Sequence, residues 1–239
     1  MSAPKTSARL PGAKDPRLES WLRRASHDLR GNVATIEFAL QGMKRFSADA
    51  GTGLPQAEVL EILRRRTQLL KGDLDQVFLF LRLVLLEREV AAADMAVGQV
   101  IQAAIEELPE NQRGRIQYLP AEPMRQSVPG FLAGSALGPV LRNATQYGTG
   151  PVSVVCTEMN GGLALDVSNR GSGIPQDERG VLFEPFVRGA NSKGIPGLGL
   201  GLAIARLSVQ AVEGSLDLVA WSPEDTRFRL FIPLTTRSI

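Results

Sequence analysis

Residues 55–88 hold the most regular hydrophobic pattern in the chain. Leu60, Leu63, Thr67, Leu70, Leu74, Val77, Leu81 and Val84 recur at alternating intervals of three and four. That spacing predicts a helix whose apolar stripe stays turned toward a partner helix. Phe78, Phe80, Leu83, Leu85 and Leu86 widen the stripe at its C-terminal end, more than one facing helix covers, so a bundle is expected rather than a two-stranded coil. Upstream, Leu22, Leu29, Ile36 and Met43 repeat every seven residues, with Val33 and Leu40 broadening the stripe. Between the two lies SADAGTGLP, residues 47–55, a loop signal ending in a proline suited to a helix start. The pattern predicts a helical hairpin. Its wide apolar faces need cover, either from a second copy in a dimeric four-helix bundle or from the chain's own C-terminal half.

From about residue 96 the pattern changes. AVGQVIQAAIEEL reads as an amphipathic helix through Val97, Val100, Ile101, Ala104, Ile105 and Leu108. RIQYL (115–119) reads as a short strand, and residues 131–147 as another helix containing LGPVLRNATQYG. VSVVCTEM and LALDVSN flank Asn160-Gly161-Gly162, a hairpin signal. SLDLVAW and RFRLFIPL alternate as a second hairpin around SPED. Helices mixed with antiparallel strands predict a sandwich with helices on one face of a sheet. The fold class expected is therefore α+β, in three parts: a disordered tail at 1–14, the hairpin at 15–93 and the sandwich at 96–239.

Composition narrows the setting. The 239 residues are 44% hydrophobic and 22% charged, with a net charge of only +2, so nothing calls for a nucleic-acid partner. The single cysteine, Cys156, excludes an intramolecular disulfide and fits a reducing compartment. No run reaches the roughly 18 apolar residues of a membrane span, and the greasiest, VFLFLRLVLL at 77–86, is interrupted by Arg82. No signal peptide opens the chain. A cytoplasmic protein without a membrane span is expected.

Two features carry candidate chemistry. His27, in ASHDLRGNVATI, is the only histidine, and its offset from Leu22 and Leu29 turns it away from the hairpin's apolar stripe. The segments NRGSGIP (169–175) and GIPGLGLGLAIAR (194–206) are glycine-rich. The second leads into a helix, an arrangement that suits phosphate because backbone N–H groups and an electropositive helix end converge there.

Together these residues resemble the sensor histidine kinase family of two-component systems, over about residues 17–235. ASHDLRGNV resembles the phosphoacceptor box, LRNATQYG the asparagine box and VSNRGSGIP the first glycine box. LFEPF resembles the phenylalanine box and GLGLGLAIAR the second glycine box. The resemblance implies a dimeric phosphoacceptor hairpin joined to an α/β sandwich ATP-binding domain of the Bergerat type, with ATP and Mg²⁺ as cofactors. On that likeness His27 is the phosphoacceptor and Asp28 orients its ring and takes its proton. Asn143 helps hold Mg²⁺. Asn169 faces the adenine amine, and Gly171 and Gly173 let the backbone pass close to the base. Gly197, Gly199 and Gly201 border the triphosphate, and residues 188–196 form a lid. Arg188 and Lys193 in that lid either meet the γ-phosphate or sit as solvated charges. Tyr147 either lines the nucleotide pocket or packs in the core, while Phe183 and Phe186 anchor the lid.

The chain also departs from the family pattern. Asn169 replaces the usual aspartate and has no charge to strengthen its hydrogen bond. Pro139 stands four residues before Asn143, where a polar residue is common; it suits a helix only at its first turn. Gln146 replaces a common lysine. Asn32 takes the place of a proline, and Gly31 that of a small polar residue linked to phosphatase activity, so weak or absent phosphatase activity is expected. No sensor segment precedes the hairpin, so a signal is expected through a partner, the tail or a separate sensor protein. The leading expectation is an ATP-dependent kinase that passes phosphate from His27 to the receiver domain of a response regulator. The rivals are a phosphotransfer protein with a degenerate nucleotide domain, and a regulatory pseudokinase acting through mixed dimers.

Overall fold

The heptad patterns become two long antiparallel helices, α1 (Arg17–Ala48) and α2 (Gln56–Leu85). The computed structural model describes residues 17–48, 56–85, 93–118, 126–192 and 195–234. The expected tail at 1–14, loop positions 49–55 and Lys193 lie outside the described residues, as do the side chains of Asp28, Asn32 and Met43. Helix α1 runs through Gly31 without a break and takes in residues 47 and 48, the start of the expected loop.

The chain continues as β1 (Asp94–Ala96), α3 (Val97–Glu106), α4 (Glu110–Arg113), β2 (Ile116–Tyr118) and β3 (Ser127–Pro129). A π-helical turn, Ala133–Leu137, leads into α5 (Gly138–Tyr147), followed by β4 (Gly148–Met159) and β5 (Gly162–Gly171). A 3₁₀ turn at Ala190–Ser192 precedes α6 (Gly201–Gln210), β6 (Ser215–Trp221) and β7 (Thr226–Pro233). The main sheet has the order β2-β4-β5-β7-β6, and β1 pairs with β3 in a separate two-stranded ribbon. β2 runs parallel to β4, and the other neighbours in the main sheet are antiparallel.

Local chemistry accounts for these elements. Asn160 and Gly161 both have positive φ, 51° and 76°, the signature of a two-residue hairpin turn whose twist matches its strands. Alternation sends Val152, Val154 and Cys156 of β4 to the same buried face as Leu163, Leu165 and Val167 of β5 and Phe228, Leu230 and Ile232 of β7. Helices α3, α5 and α6 close over that face with Val100, Ile101, Leu141, Ala144 and Val209. Each large side chain fully buried here contributes about 1.5–3 kcal/mol. Pro139 falls in the first turn of α5, where its missing N–H costs little. The segment expected as a plain helix over 131–147 thus changes pitch ahead of the proline, and the Gly138 N–H reaches back five residues to the Ala133 carbonyl.

The hairpin and the sandwich share a second apolar cluster. Trp21, Phe80 and Val84 are buried against Phe186, Leu198, Leu200, Ile204 and Leu207. Arg17 adds an ion pair to Glu184 at 3.2 Å. The chain's own C-terminal half therefore covers the C-terminal end of α2. Elsewhere the seam stays open, with Leu60 52%, Leu74 37% and Phe78 62% exposed.

Candidate active site

One pocket collects side chains from five parts of the chain. Helix α5 contributes Pro139, Arg142, Asn143, Gln146 and Tyr147 to its wall. The end of β5 and the loop after it contribute Asn169, Ser172, Gly173 and Ile174. Val187, Arg188 and Gly189, then Gly197, Leu198, Gly199 and Gly201, also line it, as does Thr226 of β7. Gln76 reaches the same pocket from α2. Of the residues singled out in the sequence, Asn143, Tyr147, Asn169, Gly173, Arg188, Gly197, Gly199 and Gly201 are brought together here. Gly171 is not in the wall. It lies under the Tyr147 carbonyl, in a space that a Cβ would fill.

Asn169 is 7% exposed, and its Nδ2 donates to the Arg170 carbonyl at 3.2 Å. That bond uses one N–H of the amide, and the amide oxygen can act as an acceptor. Gly173 has φ 69° with the Trp221 carbonyl 3.0 Å from where a Cβ would stand, and Gly199 has φ 73° with the Val187 carbonyl 2.6 Å away. Left-handed backbone in such tight quarters requires glycine. Burial raises the pKa of Tyr147, with Arg188 opposing and Glu178 adding to the shift.

The segment expected as a lid is held at several points. Glu178 accepts the Ala190 backbone N–H at 2.8 Å, and Asn191 donates to Ser172 Oγ at 2.9 Å. Arg188 donates to the Ser192 carbonyl at 2.8 Å and to the Ile195 carbonyl, so its guanidinium is engaged within the lid itself. Phe183 packs edge-on against Phe228, while Phe186 meets Phe80 of the hairpin.

His27 is exposed on α1. Its neighbour Ser26 and Arg30, one turn on, line a shallow groove together with Val77. Val77 follows Gln76, the α2 residue in the pocket wall. The groove beside the histidine and the pocket thus draw on neighbouring residues of α2. Sequence reasoning missed Gln76, Arg142 and Glu178. Gln76 offered only a faint signal, a polar residue between Leu74 and Val77, and Glu178 offered none because its partner arises from folding.

Metal donors are sparse. Among the described residues no three His, Cys, Asp or Glu side chains gather into a cage. The Asn143 amide oxygen in the pocket wall suits a hard cation that arrives with phosphates, since Mg²⁺ commonly takes few protein ligands and lets phosphate oxygens and water supply the rest.

A glycine-bordered pocket between α5, α6 and a mostly antiparallel sheet, beside a helical hairpin, defines an ATP-binding sandwich of the Bergerat class. Residues 132–236 match the family model described as histidine kinase-, DNA gyrase B-, and HSP90-like ATPase. The sensor histidine kinase GlrK of Escherichia coli (strain K12) is 37% identical over 117 residues, 47% of this chain and 23% of that protein. The histidine-protein kinase/phosphatase MprB of Mycobacterium bovis (strain BCG / Pasteur 1173P2) is 30% identical over 209 residues, 83% of this chain and 40% of that protein. The solved structure of Acinetobacter baumannii histidine kinase AdeS shares the fold, with a TM-score of 0.69 at 16% identity over 88% of this chain and 98% of that one. Residues 132–236 thus carry the ATPase domain of that family model, and the curated relatives and solved structure that the chain resembles are histidine kinases. The chain spans less than half the length of these curated relatives. No described helix is long and apolar enough to cross a membrane.

Proposed function

We propose that this chain is the core of a cytoplasmic two-component histidine kinase. Its phosphoacceptor part is residues 15–93 and its ATP-binding part residues 96–239. The observation that carries the reading is the position of Gln76 and Val77. One lines the nucleotide pocket and the other the groove beside His27, so the acceptor's surroundings and the nucleotide pocket both reach the same turn of α2, which supports transfer between them.

In the proposed step a ring nitrogen of His27 attacks the γ-phosphorus of ATP. The bond from that phosphorus to the β–γ bridging oxygen breaks, ADP leaves, and the imidazole proton passes to Asp28. Asn169 accepts from the adenine amine, and the backbone around Gly197, Gly199 and Gly201 borders the phosphates. Mg²⁺, held through Asn143, would neutralise phosphate charge. A carboxylate oxygen of an aspartate on the receiver domain of a response regulator then attacks that phosphorus, the N–P bond to His27 breaks, and the imidazole takes back the proton from Asp28 and is again neutral. The exposed stripe through Leu60, Leu74 and Phe78 supports a second copy pairing with the hairpin as a four-helix homodimer, because apolar side chains in such a row gain from leaving water.

The test is incubation of the purified chain with γ-labelled ATP and Mg²⁺ beside a His27→Gln variant. Acid-labile, alkali-stable label on the wild type alone is the expected result. Label on neither protein would overturn stand-alone kinase activity and favour phosphotransfer without ATP, to be assayed from a phosphorylated receiver domain.

A further inference from the structure

Three described charged side chains line the nucleotide pocket: Arg142, Glu178 and Arg188. Glu178 holds the Ala190 N–H, and Arg188 is tied to carbonyls of its own lid. Gln146, on the resemblance the place of a lysine, brings no charge. Among the described residues Arg142 is the remaining cation, on the same helix as Asn143 and lining the same pocket as Gln76 of the hairpin.

Its surroundings leave it weakly held. The nearest carboxylate is Glu107, just past the end of α3, with Nη1 to Oε2 at 3.8 Å and the two side chains 33% and 47% exposed. A pair of that length and exposure contributes little, and 3.8 Å is too long for a hydrogen bond. Space for the pairing comes from two glycines. A Cβ on Gly134 would stand 2.7 Å from Glu107 Oε1, and one on Gly138 would stand 3.2 Å from Glu107 Oε2 and 3.3 Å from Arg142 Nη1. The carboxylate therefore rests against bare backbone where the π turn meets α5. Burial lowers the Arg142 pKa and Glu107 only partly offsets it, as expected of a cation short of negative charge. A guanidinium fork in that position matches the oxygens of a phosphate.

We propose that Arg142 is the phosphate-binding cation of this pocket, parked on Glu107 in the free protein and exchanging that carboxylate for the terminal phosphate of ATP. The terminal phosphate is chosen because Gln76, which lines the same pocket, belongs to the hairpin that carries His27. The inference rests on the reading of the pocket as an ATP site.

The experiment measures dissociation constants for Mg-ATP and Mg-ADP on the full chain by calorimetry, for the wild type, Arg142→Gln, Arg142→Lys and Glu107→Gln. Arg142→Gln should weaken ATP about ten-fold or more, the scale of a lost charge-assisted hydrogen bond, and ADP much less. Arg142→Lys keeps the charge and the apolar stem and should fall between. Glu107→Gln frees the guanidinium and should tighten ATP. If the pair only braces α3 against α5, both neutral variants would melt earlier and the ATP-to-ADP ratio would stay at its wild-type value, which overturns the proposal. A wild type that binds ATP, beside an Arg142→Gln variant binding it equally well, defeats this inference alone. A wild type that binds neither nucleotide defeats the reading beneath it as well.

Discussion

The ring of Phe186 stands edge-on to that of Phe80, with centroids 6.0 Å apart and planes at 79°. Trp21 meets Phe80 in the same manner at 5.8 Å and 75°. Three rings from α1, α2 and the phenylalanine box thus form one chain of contacts. Phe186 adopts φ 60°, uncommon for a bulky residue, and its N–H bonds the Gly199 carbonyl at 3.1 Å. Packing on the hairpin is therefore coupled to the backbone that borders the pocket.

Phe80 is 1% exposed and central to that chain. Phe80→Ala should cost about 3–5 kcal/mol, the range for truncating a buried aromatic residue. Phe80→Leu should cost less, since it keeps an apolar side chain in place. Urea denaturation checks both, and a loss below about 1 kcal/mol for the alanine variant would contradict the packing described.

Asn169→Asp is expected to act in two directions. A carboxylate there would be a stronger acceptor for the adenine amine. It would also lose the Nδ2 donor that bonds the Arg170 carbonyl at 3.2 Å and set an oxygen against that carbonyl. Leaving such a group unpaired costs about 1–3 kcal/mol. The nucleotide-free variant should melt earlier than the wild type, and saturating Mg-ATP should recover part of the difference. An unchanged melting temperature without nucleotide would show that the bond contributes nothing.

Much of this arrangement is legible in the chain because its causes are local. The intervals from Leu60 to Val84 specify a helix whatever lies opposite, and Asn160-Gly161 specifies a turn through φ alone. The exposure of His27 follows from its offset against Leu22 and Leu29. Pro139 was readable as a helix start, but the π turn before it has no hydrophobic period to announce it. Gln76 and Glu178 were not readable, because each gains its role only when segments distant in sequence dock. The heptad pattern also could not divide α2 between two duties. Val84 belongs to the regular seam, yet folding buries it against Leu198 and Ile204.

Gly199 and Gly201 sit two residues apart and should respond differently to alanine. Gly199 has φ 73°, and a Cβ would meet the Val187 carbonyl at 2.6 Å. Gly199→Ala should therefore destabilise by about 1–3 kcal/mol, the scale of backbone strain at such a position. At Gly201, the first residue of α6, the nearest atom to an added Cβ is Pro139 Cβ at 3.6 Å, ordinary contact, and alanine has less chain entropy to lose on folding. Gly201→Ala should be neutral or stabilising in thermal unfolding without nucleotide. Equal losses for the two variants would contradict the geometry.

Cys156 gives a prediction in pH. Its side chain faces the core from β4 and is 2% exposed. Burial, with a smaller contribution from Glu158, pushes its thiol from an ordinary 9.0 up to about 11. Between those values the unfolded chain has released the proton while the folded chain keeps it. Fewer protons are bound in the unfolded state, so stability falls as pH rises through that window and levels off above it. Below the lower value both states hold the proton and the thiol adds no pH dependence. Cys156→Ala removes the titrating group, and the cavity it leaves has no pH dependence of its own. Unfolding free energies of wild type and variant, measured by urea at intervals from about pH 8 to about pH 11.5, should give a difference that is constant at first and then shrinks. A difference that stays flat across the window would mean that the thiol ionises as readily in the folded protein as in the unfolded chain.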